Sequence, residues 1–74
     1  MTAVLLGRMN TDVGPVELDY SGGVFTTSRA YFDPRNGQRH ETIIVEGREN
    51  AEWWYGQMAE RGHVFGAMPE AVTP

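Results

Sequence analysis

The residue types that do chemistry are few in this sequence and badly spaced for it. His40 and His63 are the only histidines, far apart and without His-x-x-x-His spacing. There is no cysteine, which excludes a thiolate zinc site and a disulfide framework. On a strand, His40 and its neighbour Glu41 point to opposite faces, so they do not form a ligand pair. Ser21 falls in a turn-like stretch and Ser28 in a β-branched run, neither within a Gly-x-Ser-x-Gly elbow. Gly22-Gly23 lies outside any phosphate-cradling pattern. Ten acids always offer some carboxylate pair, but nothing selects one. The expectation is no catalytic residue, no metal and no cofactor. A chain this short also has little depth for a water-excluding pocket. It reads as a protein that binds and does not catalyse.

Two sets of residues suit binding. The first surrounds Trp53. On a helical wheel Trp53 lies roughly 150° from the centre of the apolar stripe Ala51/Trp54/Tyr55/Met58, at about 100° per residue. Its neighbours there are polar, with Glu49, Glu52, Gln57 and Glu60 as the expected contact set. Tryptophan is enriched among interface hot spots, and an exposed one on a polar face is an unusual use of apolar area. The alternative is a ring folded over the helix edge onto the rim of the sheet, or covered by the C-terminal tail. The second set is Arg29, Arg35, Arg39, His40 and Tyr31. Aromatics on a sheet between arginines are how single-stranded nucleic acid is stacked and tracked. Against it, Asp33 and Glu41 share that hairpin and the chain is acidic.

These residues need elements to hold them. Ala3–Leu6 is a short apolar run read as a first strand, followed by turn residues Asn10–Pro15. Val16–Tyr20 alternates apolar and acidic, the pattern of a strand with one buried face. Ser21-Gly22-Gly23 reads as a hairpin turn. Val24–Phe32 and Gln38–Val45 form a second hairpin about Asp33–Gly37, which would set Arg29 opposite Glu41. Arg48–Arg61 reads as the one helix, with Glu49 and Glu52 early, Arg61 late and Gly62 as its stop. Gly56 costs about 1 kcal/mol against Ala in a helix, and is read as marking a close crossing over the sheet. Val64-Phe65 supplies a fifth strand or a core plug. The predicted fold is α+β: an antiparallel meander of four strands, or five, with one α-helix over about residues 48–61 packed on one face. Residues 1–66 form the single domain and residues 67–74 a flexible tail.

Composition limits the partner. Seventy-four residues make one domain that buries only about 60% of its unfolded surface, so a homodimer is one route to added stability. Net charge is −4, and all six bases are arginines. Residues 1–45 carry four arginines against five acids, net −1, and residues 46–74 two against five, net −3. The acidic C-terminal part suits a protein partner with a basic surface and repels nucleic acid. Nothing approaches the roughly 20 apolar residues of a membrane span. Met1–Leu6 lacks the basic start and apolar length of a secretory signal, so the expected location is the cytoplasm.

A meander with an Asn-Gly turn leads into a helix carrying Glu52-Trp53-Trp54-Tyr55-Gly56. That arrangement resembles some small phage anti-CRISPR proteins, inhibitors of type I CRISPR surveillance complexes, over about 45 residues. The resemblance implies a phage-encoded inhibitor in the host cytoplasm. It would bind a basic surface of that complex without catalysis and block target DNA access or nuclease recruitment. The chain departs from the family in having no lysine and in ending in a Pro-containing segment, and no functional residue is carried over. The other readings are a single-stranded nucleic-acid binder using the hairpin, or a phage structural or accessory subunit.

Overall fold

The structure, a computed structural model, describes residues 3–12 and 14–69. Its elements run β1 (Val4–Thr11), β2 (Gly14–Ser21), β3 (Val24–Asp33), β4 (Gly37–Val45), α1 (Arg48–Arg61) and β5 (His63–Val64). The five strands form one antiparallel sheet in the order β4-β3-β2-β1-β5, with the helix on one face. This is the α+β meander expected from the sequence, with the fifth strand present.

Local chemistry accounts for most of the boundaries. Gly22 and Gly23, at φ 57° and 87°, join Ser21 to Val24 as a two-residue hairpin turn that a side chain would strain. Asp33 caps the next turn: its carboxylate accepts from the Arg35 backbone N–H at 2.9 Å and from the Asn36 side chain at 3.2 Å. Both contacts favour the ionised form, and they hold the Asp33 pKa below its ordinary value. Arg29 stands opposite Glu41 in the β3–β4 register, as expected, and the two form an ion pair at 2.8 Å. The first hairpin differs from expectation. Thr11 pairs with Gly14, so both strands run on into Asn10–Pro15 and only a two-residue link remains. Val13 itself lies outside the described residues.

Strand alternation divides the sheet into a helix-facing side and an open side. Leu6, Met9, Val16, Leu18 and Phe25 meet Ala51 and Met58 in the core, with Leu18, Ala51 and Met58 fully buried. Tyr20 and Phe25 pack ring against ring at 4.8 Å. Trp54 and Tyr55 are half-buried against the same cluster, so the apolar stripe read from the sequence is the one that docks. A register shift between Leu5 and Gly7 bends β1, where Leu6 and Gly7 are both buried.

Gly62 ends the helix, but not through a left-handed conformation, since its φ is −146°. A Cβ there would collide with the Arg8 carbonyl oxygen and lie 2.7 Å from the Met9 Cβ. The glycine lets the chain turn against β1 and enter β5, which pairs with Gly7 and Arg8. The Phe65 N–H then donates to the Leu6 carbonyl at 2.9 Å, and the Tyr55 hydroxyl donates to the Gly66 carbonyl. Met68, on the segment read as tail, packs against the core; residues 70–74 lie outside the described ones.

Candidate functional site

The outward side of α1 is built by the docking of its inward side. With Ala51 and Met58 fixed at full burial, Trp53 is turned away from the sheet and is 56% exposed. The alternative of a ring folded onto the sheet rim does not occur. Its ring meets that of Trp54 edge to face, with centroids 5.1 Å apart. The exposed indole is therefore propped by a half-buried neighbour packed against the core, which restricts its rotamers.

Glu49, Glu52, Trp53, Gly56, Gln57 and Glu60 each have another of the set three or four residues away, and at about 100° per residue they share one side of the helix. All are exposed except Gln57, which is half-buried at the margin. Glu52 pairs with Arg48 at 3.2 Å one turn earlier, while Glu49 and Glu60 make no ion pair among the described residues. Gly56 belongs to this stripe. A Cβ placed on it would meet nothing within 4 Å, so the close crossing over the sheet expected there is absent. It lies one turn beyond Trp53 and leaves the helix backbone bare beside the indole. The glutamates and the tryptophan were legible from the wheel; the glycine's membership was legible too, from its spacing of three from Trp53.

The second set of residues is divided by the sheet. Arg29, Tyr31 and Arg39 fall on the helix-facing side of the β3–β4 hairpin and His40 on the open side, with Arg35 in the turn. The Arg29 guanidinium is committed to Glu41 and stacks 5.0 Å from the centroid of the Tyr31 ring. No residue from Ala30 to His40 is buried, so this end of the hairpin projects from the core. Arg39 makes no ion pair among the described residues.

The open side is mostly polar, with the Ser28 hydroxyl donating to Asp19 at 3.0 Å, but Phe32 and Ile44 on it are 72% and 63% exposed. A hollow of about 170 Å³ lies there among Glu17, Ser28, Ala30 and His40, and one of about 250 Å³ among Arg8, Asn10, Arg61 and His63. Both are smaller than the roughly 300–1,000 Å³ of small-molecule pockets. Among the described residues, no three His, Asp or Glu side chains are gathered as metal ligands. Among the described residues, no helix is long and apolar enough to cross a membrane.

Comparison with family models, with curated proteins and with solved structures finds no match for this chain.

Proposed function

We propose that this chain is a non-catalytic protein-binding module whose contact surface is the outward side of α1. The observation that carries the reading is Trp53: a large apolar side chain, 56% exposed, standing on a helix whose opposite side supplies the core. Glu49, Glu52 and Glu60 around it favour a partner with a basic surface, and the bare backbone at Gly56 gives that partner room to approach.

The specific form we put forward is a phage-encoded inhibitor of a bacterial defence complex, acting in the host cytoplasm on a type I CRISPR surveillance complex. Its support is the resemblance in the meander, the helix and the Glu52–Gly56 segment. The test is protection of a sensitive phage, or of a targeted plasmid, in a host with an active type I system. Expression of the chain should restore plaquing or transformation, and Trp53→Ala or Glu49→Arg/Glu60→Arg should remove that effect without unfolding the protein. Lack of protection removes the inhibitor form. Protection unchanged by those substitutions removes the helix as its contact.

Nucleic-acid binding through the hairpin is the second reading, favoured by the projecting Arg29/Tyr31/Arg39 side. If the purified chain shifts a single-stranded oligonucleotide at about micromolar concentration and roughly 150 mM salt, the hairpin reading replaces the first. Arg35→Glu and Arg39→Glu would then each lower the salt slope by about one.

A further inference from the structure

β4 is an edge strand: nine residues long, without proline, lysine or bulge, and beyond β3 no described backbone group hydrogen-bonds to it. Natural sheets blunt such edges, because a row of outward N–H and C=O groups templates another strand. The other end of the sheet is protected, since β5 has two residues and the chain continues past it. Near its end β4 also exposes Ile43 (54%) on the helix-facing side and Ile44 on the other.

We propose that β4 is a homodimer interface, in which two copies pair their β4 strands antiparallel about a two-fold axis at His40. The charges on the strand select this occupant and this register. A two-fold axis normal to the sheet keeps equivalent sides together, so residues of the same parity oppose each other. Centred on His40, the pairing sets Arg39 of each copy opposite Glu41 of its mate, twice over, and Gln38 opposite Thr42. Centred one residue later, it would set Glu41 against Glu41. Each partner has capacity to spare: Arg39 makes no ion pair among the described residues, and Glu41 engages Arg29 through only one carboxylate oxygen, Oε2. Opposite charges directly across a strand pair are stabilising and like charges are destabilising. Ile43 would come to rest opposite Gly37 and diagonally against the aliphatic stem of Arg39 in the mate. The five-stranded sheet is doubled, with both helices on one side of it. The contact is independent of the Trp53 surface, so either proposal stands if the other fails.

Sedimentation equilibrium on the full chain from about 5 to 500 µM covers the weak affinities an edge contact gives. Wild type should self-associate with concentration. Arg39→Glu and Glu41→Arg, each checked as folded by circular dichroism, should associate at least about tenfold more weakly. Mixing the two variants should restore association. In the mixed dimer the reversed charge of one variant faces the reversed charge of the other, and the two unchanged residues face each other, so both contacts again join opposite charges. A wild type that stays monomeric overturns the proposal. So do single variants that associate like wild type, or a mixture that stays apart when the wild type does not.

Discussion

Gly56→Ala isolates the outward side of the helix from everything else in the molecule. Gly56 is not among the glycines with positive φ, so an alanine adopts its backbone without strain. Its Cβ would meet no heavy atom within 4 Å, so no packing is made or broken. What remains is helix propensity, about 0.8–1.0 kcal/mol in favour of Ala, much of it from the smaller conformational entropy of the unfolded chain. In a domain of this size that raises Tm by about 4–8 °C. Urea unfolding followed by circular dichroism should show a higher midpoint with an unchanged slope. An unchanged or lower midpoint would refute the reasoning, because it would mean that the methyl meets something and the stripe around Trp53 is covered. Partner binding should move the other way, since the same methyl projects into the contact surface. A substitution that firms the fold and weakens binding is the signature of a glycine retained for contact.

Other substitutions check the two sides of the helix and its ends. Met58→Ala, at a fully buried site, should cost about 2–5 kcal/mol in chemical denaturation, whereas Trp53→Ala should cost well under about 1 kcal/mol. Reversal of that order would mean the helix docks by its other side. Gly62→Ala should cost more than about 2 kcal/mol, because its Cβ collides with the backbone of β1, and the loss should appear as a lower urea midpoint. Asp33 should titrate below its ordinary 3.8 in its carboxyl carbon shift. Its lowered folded pKa contributes stability that is present above 3.8 and is lost as pH falls through the folded value, so acid should loosen the 33–37 turn. A titration at or above 3.8 would show that the contacts from Arg35 and Asn36 are not kept in solution.

Much of the fold was legible because the signals were local. Gly22, Gly23 and Gly37 supply the positive φ that tight turns need, and the 33–37 turn sets the register that brings Arg29 to Glu41. The spacing of Ala51, Trp54, Tyr55 and Met58 names the docking side without reference to any other element. What was missed depends on distant partners. The role of Gly62 is set by the Arg8 carbonyl, which reaches it only through the pairing of β5 with β1. The extension of β1 to Thr11 follows from its pairing with β2, which lets Asn10 be strand despite its turn preference and carries the β-branched Thr11 with it. Met68 packs because Phe65 and Gly66 are tied back to Leu6 and Tyr55.

The candidate surfaces divide along the same line. The helix alone put Trp53 opposite the docked stripe but left its ring two courses, outward or folded over the helix edge onto the rim; its 56% exposure decides for the first. The β4 edge was only half legible, because the meander leaves its last strand open unless a fifth strand joins it, and only the strand order shows that β5 pairs with β1 instead. Three consecutive apolar residues on one strand require apolar groups on both sides of the sheet. Among the described residues one helix covers one side, so at least one of them stays exposed. Ile44 is that residue by alternation, and Ile43 joins it because α1 packs mainly over β1 and touches β4 little. A single helix is too narrow to cover this sheet, so among the described residues some apolar area on β4 stays exposed, and the proposed pairing of β4 strands draws on it.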